Sequence, residues 1–386
     1  MIKKGWLVGL SLSLVFLLVL QLFYLLKLEQ KQINGLLLLS ENTGDITGYY
    51  KWEKELDQKG LRAIIKPERA VLEKYPDYFK NLADKGYEIA TGYGEAPFWG
   101  MSYQEQYEIM KEYKEFAEGV IGKPIKIFSS KYFAYDENTL RAADDLGISY
   151  ILARGSGLKA TVYAPKGYQA KLLSVSNLVF EEMGSGSLCD VSLYQRGSTA
   201  EDFQTTLTQT LNEDFQDLIL VSHVYIGGTR AGWWDAYQFA LDSEKVVWRD
   251  FDVWVTRVDE QVVPYDQIPY NTEVKYIEPK PAVPLDEIEL IPDLKNEEKI
   301  IFFHNGRGQM CLDFLEFLRG VDYPIEEHLT DEADFYQNLE NYRRPFDRSE
   351  GASEEFGYFP IIFVSDRVFS GFDEAIGEEI LQIIRG

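Results

Sequence analysis

Residues 33–275 alternate short apolar runs with amphipathic stretches, and this alternation limits the fold more than any other feature of the chain. The first run, INGLLLLS at residues 33–40, has the length of a buried strand, and the helical pattern after it ends at Gly60. The same order recurs when DLILVSHVY, which begins at Asp217, precedes a helix around residues 231–244. Strands and helices at this spacing predict a parallel sheet with helices outside it, either open or closed into a barrel.

The first 32 residues follow a different pattern. From Gly5 to Leu26 the chain has 22 residues without a charge. At about 1.5 Å per residue, such a helix would span a hydrocarbon core of about 30 Å. A cleaved signal peptide is the alternative, although its apolar region is normally only about 7–15 residues long. We therefore expect a single-pass transmembrane helix over residues 1–32, a location at the cell membrane, and later domains outside the cytoplasm.

The charge and the cysteine content exclude several classes of protein. The 39 basic and 63 acidic residues leave a formal charge of −24, which repels phosphate backbones and excludes nucleic acid as a partner. The only two cysteines, Cys189 and Cys311, are far apart in the sequence. They predict neither a disulfide framework nor a cysteine-rich zinc site.

A second unit is expected after a linker. Residues 276–298 are rich in proline and acids, as is typical of a semi-extended connection. From residue 299 to residue 386 the pattern becomes strand, helix, strand, helix, a hairpin from YFPIIFV and RVFSG, and a last helix. The sequence thus predicts two α/β domains, over residues 33–275 and 299–386.

The larger domain resembles the polysaccharide deacetylase (NodB-homology) family. The resemblance runs from Leu36 to about Val255 and is clearest from Tyr78 to Leu152, where YEIATGYGEAPF and the SYQEQ helix follow that family's order of elements. It implies a deacetylase-like (β/α) barrel over residues 33–275.

The family's metal site has no counterpart at the matching positions. In the family, an aspartate pair and two histidines hold the metal that activates water for attack on an acetyl group. Here the aspartate pair falls near Ser40 and Glu41, and the histidine positions fall on Gly92 and Ala96. Only His223, in LVSH at the end of a strand, matches a later family histidine. We therefore expect no metal and no cofactor.

The surviving polar residues leave an enzymatic alternative open. His223, Glu41 and Glu95 are the candidate catalytic residues of a divergent hydrolase, with His223 as general acid. Such an enzyme needs two acids about 5–10 Å apart in one cleft. A site made only of carboxylates would favour Mg²⁺ or Ca²⁺. The further acids for these roles are Asp45, Asp136 and Glu181.

Three tryptophans are candidates for stacking on a sugar ring, because an aromatic face buries a large area. They are Trp99, Trp233 and Trp234. Trp233 and Trp234 are adjacent, and neighbouring residues of a helix do not face the same way. We therefore expect one of this pair to be exposed and to offer a binding platform.

Residues 299–386 resemble a glutaredoxin, which implies a thioredoxin-fold domain. The family's C-x-x-C turn reads GQMC here, so Gly308 replaces the nucleophilic cysteine and only Cys311 remains. A lone Cys311 predicts either a buried apolar residue or a monothiol redox site. Pro360 matches the family's cis-proline and is a candidate ligand-binding residue.

Three functions remain open at this point. The first is a membrane-anchored, non-catalytic module that binds a cell-surface glycan or an envelope protein, with the glutaredoxin-like domain as a docking unit. The second is a divergent carbohydrate hydrolase or deacetylase that uses carboxylates and His223. The third is a redox protein that uses Cys311.

Overall fold

The structure is a computed structural model that describes residues 32–40, 46–180, 183–269, 280–291, 299–321, 323–332, 335–344, 346, 348–365 and 367–385. The strands are β1 Ile33–Ser40, β2 Ile64–Lys66, β3 Glu88–Ile89, β4 Thr91–Tyr93, β5 Ile127–Ser130, β6 Tyr150–Arg154, β7 Thr161–Pro165, β8 Lys171–Val175, β9 Asn177–Val179, β10 Ser185–Ser187, β11 Asp217–His223, β12 Val246–Trp248, β13 Glu260–Val263, β14 Ile300–His304, β15 Ile325–Leu329, β16 Glu350–Gly351, β17 Ile361–Val364 and β18 Arg367–Ser370. The helices are α1 Thr47–Lys59, α2 Arg69–Lys74, α3 Pro76–Asp84, α4 Tyr103–Ile121, α5 Glu137–Leu146, α6 Asp190–Tyr194, α7 Ala200–Thr210, α8 Val224–Gly227, α9 Ala231–Leu241, α10 Phe251–Val255, α11 Gln309–Leu318, α12 Phe335–Arg343 and α13 Glu374–Arg385.

The first sheet is built around β1, the most apolar strand. β1 pairs in parallel with β11 along most of its length, and also with β2 and β12. Leu36, Leu37, Leu38 and Leu39 are all buried, as expected for a parallel strand that is covered on both faces. The carboxyl ends of β1, β2 and β11 consequently lie at one edge of this sheet.

A second sheet has the strand order β13-β7-β8-β6-β5-β4 and contains one antiparallel pair, β7 with β8. Only Ala90 separates β3 of the first sheet from β4 of the second, so an interrupted strand joins the two. At the other side the amide of Ala160 donates to the carbonyl of Asp217 at 2.8 Å, and Cys189 forms an isolated bridge with Val221. The larger domain is thus two linked, mainly parallel sheets instead of one continuous barrel.

Glycines end three helices of the larger domain, and Gly60 does so where the sequence predicts it. α1, α4 and α5 are followed by Gly60, Gly122 and Gly147, with φ of 66°, 73° and 67°. This left-handed conformation carries no steric cost for glycine and closes the last helical turn. The predicted end of α1 at Gly60 is confirmed.

The prediction that Trp233 or Trp234 is exposed is wrong. They are 1 % and 3 % exposed. Trp234 packs edge-on against Trp52 of α1 at 5.0 Å, and Trp233 packs against Phe203 of α7 at 5.4 Å. Different sides of α9 are covered by different helices, so neither indole offers a platform to a ligand.

Part of the predicted linker packs against the larger domain. The amide of Ala231 donates to the carbonyl of Glu289 at 2.9 Å, and Arg230 forms an isolated antiparallel bridge with Leu290. Ile291 is buried in the same apolar cluster as β1. Residues 280–291 are therefore held along the start of α9.

The C-terminal unit contains a five-stranded sheet with the order β15-β14-β17-β18-β16. β14 pairs in parallel with β15 and antiparallel with β17, and β17 and β18 form the predicted hairpin. Apolar clusters cover both faces of this sheet, one with α11 and α13 and one with α12. The Phe359–Pro360 peptide bond before β17 is cis, as the resemblance implied for Pro360.

The expected N-terminal transmembrane helix requires a correction. No helix within the described residues is long and apolar enough to cross a membrane. The apolar run on which that expectation depended falls in residues 1–31, which lie outside the described part of the chain. The architecture of the described residues is mixed α/β.

Candidate functional site

A cavity of about 350 Å³ opens at the carboxyl ends of the parallel strands. The last residues of five strands line it: Ser40 of β1, Lys66 of β2, Ser130 of β5, Arg154 of β6 and His223 of β11. The carboxyl edge of a parallel sheet is where α/β proteins place their ligands, because loops and strand ends converge there. The volume lies at the small end of the range for ligand pockets.

Hydroxyl groups and two aromatic residues form much of the wall. The serines are Ser40, Ser129, Ser130, Ser185, Ser187 and Ser192. Tyr132 and Phe133 follow β5 with φ of 62° and 55°, in the left-handed region that non-glycine residues avoid. Two such residues in succession cost roughly 1–3 kcal/mol each, and such strain is typical of functional sites. Tyr132 remains 43 % exposed at this wall.

The charge of the lining contrasts with that of the chain. Four cationic side chains line the cavity, Lys66, Lys131, Arg154 and Arg196, against a single acid, Glu68, among the described residues. The chain as a whole carries a formal charge of −24. A local excess of positive charge in a concave site concentrates anions there.

A buried carboxylate holds His223 in place. Asp190, at the start of α6, is fully buried and accepts hydrogen bonds from the amides of Val191, His223 and Gly227 at 2.6–3.0 Å. It also accepts from the hydroxyl of Ser222 at 3.2 Å and lies 3.1 Å from Nδ1 of His223. Because Asp190 binds both the amide and the ring, it fixes the position and the orientation of the imidazole.

The same contact changes the protonation of His223. Burial lowers its pKa, but the hydrogen bond to Asp190 and the neighbouring Cys189 outweigh that effect and raise the pKa to about 10. His223 is therefore a cation at neutral pH. A general base must accept a proton near the working pH, which this imidazole does not do.

The residues around His223 do not fit a catalytic metal. Cys189, Asp190 and His223 place ligand atoms within 4.8 Å of one another, the nearest approach to a metal cluster among the described residues. The two oxygens of Asp190 are, however, already occupied by amide, hydroxyl and imidazole donors. Cys189 accepts from the amide of Ser192 at 3.3 Å. The ligand atoms of Cys189 and Asp190 are therefore used in hydrogen bonds within the protein.

Gly92, which matches a family histidine, has no room for a side chain. A Cβ atom there would lie 2.6 Å from the carbonyl oxygen of Ser129 and 2.9 Å from Cε of Lys66. Real Cβ atoms do not approach backbone oxygens this closely. The Lys66 side chain therefore lies in the space beside the missing histidine.

The other candidate residues are not assembled around His223. Glu95 is exposed, accepts from the Tyr93 hydroxyl at 3.2 Å, and is not part of the cavity wall. Trp99 is half-buried and likewise outside the wall. Asp136 caps α5 through the amide of Thr139 and has a structural role there. Three of the candidate acids, Glu41, Asp45 and Glu181, lie outside the described residues.

Cys311 has the environment of a structural thiol. It is 1 % exposed, and burial raises its pKa. Its thiol donates to Oδ1 of Asn305 at 3.5 Å. Reactive cysteines require the opposite shift, because the thiolate is the nucleophile.

The sequence interpretation missed most of the residues that shape the cavity. Lys66 and Arg154 each end an apolar strand, in IIK and YILAR, and a charge at that position was a usable signal. Asp190 and Arg196 follow an irregular stretch whose pattern does not reveal which strand they approach. Their position depends on the bridge between Cys189 and Val221, which places α6 beside β11.

No family model matches this sequence, and no curated protein matches it. A polysaccharide-deacetylase-type protein from Mycobacterium smegmatis is similar in structure, with a TM-score of 0.48 and 13 % identity over 64 % of this chain and 96 % of that chain. Puue allantoinase is similar with a TM-score of 0.48 and 14 % sequence identity, over 59 % of this chain and 91 % of that chain. A mutant of a CE4 family pseudoenzyme is similar with a TM-score of 0.37 and 10 % sequence identity, over 62 % of this chain and 68 % of that chain. With TM-scores this low, these neighbours assign neither a family nor an activity, and they show no thioredoxin-like domain.

The crowding at Gly92 predicts that alanine destabilises the protein at this position but not at an uncrowded glycine. Gly92→Ala should destabilise the protein by about 1–3 kcal/mol, because the backbone of Ser129 must move. Gly119→Ala is the control, since Gly119 lies in α4 with nothing within 4 Å of its Cβ position. That variant should gain roughly 0.5–1 kcal/mol. Urea denaturation of both variants measures the difference, and a neutral Gly92→Ala would show that the position accepts a side chain.

The Asp190 contact predicts that His223 does not titrate in the physiological range. Its pKa is raised from 6.5 to about 10, so the pair stabilises the fold fully below pH 6.5 and loses this contribution as pH rises towards 10. NMR titration of the three histidines of the chain tests this, with His223→Gln to assign the signal. Asp190→Asn should lower the pKa markedly. A midpoint near 6.5 in the unaltered protein would contradict the contact.

Burial of both thiols predicts slow alkylation. Cys189 and Cys311 should resist a thiol reagent at pH 7 in the native protein and react together in denaturant. Leu312→Cys supplies the matched control, because residue 312 lies beside Cys311 on α11 and is 47 % exposed. Fast labelling of one native thiol that disappears in Cys311→Ser would restore the redox interpretation.

Proposed function

We propose that this protein is a non-catalytic glycan-binding module that holds a saccharide in the cavity at the carboxyl ends of β1, β2, β5, β6 and β11. One observation carries the proposal: six serines, four cationic side chains and the pair Tyr132–Phe133 line a single cavity of about 350 Å³. Hydroxyls and charged donors hydrogen-bond to sugar hydroxyls, and an aromatic face covers the apolar side of a sugar ring.

The same cavity is poorly equipped for hydrolysis. Glycoside hydrolysis needs a pair of carboxyl groups, and Glu68 is the one acid of the wall among the described residues. Deacetylation in the resembled family needs a metal, which the surroundings of Gly92 and His223 do not fit. Asp190 helps to raise the pKa of His223 to about 10, so at neutral pH its imidazole neither accepts a proton as a base nor readily releases one as the general acid. These features favour binding over the hydrolase alternative.

We assign the C-terminal unit the role of a glutaredoxin-like docking domain. The order of strands and helices from β14 to α13 and the hairpin β17–β18 support this proposal. The buried Cys311 with its raised pKa speaks against the monothiol alternative. The backbone beside Pro360 would then bind a peptide of an envelope protein.

Binding and turnover can be measured on the same preparation. The panel contains soluble oligosaccharides of chitin, cellulose and uronates, with acetylated and deacetylated members. We expect the full chain to bind at least one of them, as measured by NMR. We also expect no release of acetate from the acetylated members, with or without added Zn²⁺ or Co²⁺. Tyr132→Ala should weaken binding roughly 5–100-fold, as expected for the loss of one stacking aromatic.

Tyr336→Ala is the matched control for that experiment. Tyr336 is 72 % exposed and lies on α12 of the other unit, so its removal should leave saccharide binding unchanged. Acetate release with a multiple-turnover time course would replace the binding function by the enzymatic one. Absence of binding to every saccharide would remove the proposal itself.

A further inference from the structure

Two arginines lie side by side at the inner wall of the cavity. Arg154 at the end of β6 is 6 % exposed and donates from Nη2 to the hydroxyl of Ser185 at 2.9 Å and to its carbonyl oxygen. Arg196, just after α6, donates from Nη2 to the same carbonyl oxygen at 3.3 Å. One carbonyl thus holds two guanidinium groups within a few ångströms of each other.

Arg196 is placed without a counter-charge among the described residues. Its Nη1 donates to the carbonyl of Ser192 at 2.6 Å, and its guanidinium lies 4.2 Å from the ring centre of Phe180. Its Nε is buried and has no hydrogen-bond partner in the described part of the chain. An N–H group left in this way costs free energy unless a ligand accepts from it.

The neighbouring charges add to this requirement. Burial lowers the pKa of Arg196, and the positive charge of Arg154 contributes in the same direction, whereas Cys189 opposes it. Lys66 and the protonated His223 stand on the same cavity wall. Collected like charges repel one another, and an anion in the cavity would relieve the repulsion.

We propose that the cavity is specific for an anionic saccharide, whose carboxylate or phosphate binds between Arg154 and Arg196. The inference rests on the proposed function and narrows it to one class of ligand. Guanidinium groups suit planar carboxylates and phosphates, because their N–H donors match two oxygens at once. The serines and Tyr132 then contact the rest of the sugar.

Four probes separate the ligand classes: glucuronic acid, glucose, glucose 6-phosphate and inorganic phosphate. NMR titration of the full chain should show binding of glucuronic acid or glucose 6-phosphate at least about tenfold tighter than glucose, with an affinity that falls as salt is added. Which of the two anions binds better identifies the charged group. Glucose differs from glucuronic acid only at the carboxylate, so this pair isolates the charge.

Arg196→Gln should weaken binding of the anionic sugar by roughly tenfold or more, since it removes one of the paired charges. Arg196→Lys keeps the charge but loses the two parallel N–H donors of a guanidinium. Its affinity for the anionic sugar should lie between those of the unaltered protein and Arg196→Gln. Arg307→Gln, an exposed arginine of the other unit, changes the net charge equally and should have no effect. Circular dichroism establishes that each variant is folded, and the probe preference of the unaltered protein tests the inference if a variant is not.

The outcomes distinguish this inference from the function on which it rests. If neither glucuronic acid nor glucose 6-phosphate binds more tightly than glucose, the anionic specificity is overturned and glycan binding is left intact. Inorganic phosphate that binds as tightly as glucose 6-phosphate would show a simple anion site and would also overturn the inference. Failure of all sugars, including the neutral oligosaccharides of the earlier panel, would remove both proposals together.

Discussion

The buried carboxylate of Asp190 is the contact on which the site depends. It joins the start of α6 to the end of β11 by accepting from the amides of His223 and Gly227. Tyr237 of α9 reinforces this junction, because its hydroxyl donates to the carbonyl of Val221 at 2.7 Å and accepts from the amide of Asp190 at 3.2 Å. A buried charge is stable only when it is fully hydrogen-bonded. Here that requirement fixes where the strand end, the imidazole and the cavity wall lie.

Side chains supply the positive charge of the cavity. In this chain Gly92 leaves no room for a histidine, and the Lys66 side chain lies beside it. Arg154 and Arg196 add two more cations further along the wall. An ammonium or a guanidinium attracts an anion but does not lower the pKa of a bound water as a metal does.

The sequence predicted the fold where the rules are local, and failed where distant elements meet. Gly60, Gly122 and Gly147 end their helices because left-handed backbone suits glycine, and that rule needs no tertiary information. The exposure of Trp233 and Trp234 depended on which helices cover α9, and α1 and α7 do so from different sides. The cavity was missed for the same reason. Ser185, which holds both arginines, belongs to a stretch that has no clear period in the sequence.

Missing ligands alone do not decide whether a site has lost its use. A site without function has no reason to keep costly features, yet this one combines left-handed Tyr132 and Phe133, two adjacent guanidinium groups and a buried Nε of Arg196 without a partner. Each of these features costs free energy, and a bound anion would offset the repulsion between the two guanidinium groups. Selection for stability alone would remove such features, because most are one substitution away from a cheaper residue. Their coexistence on one wall therefore favours a cavity that binds a charged ligand over a vestige of an enzyme.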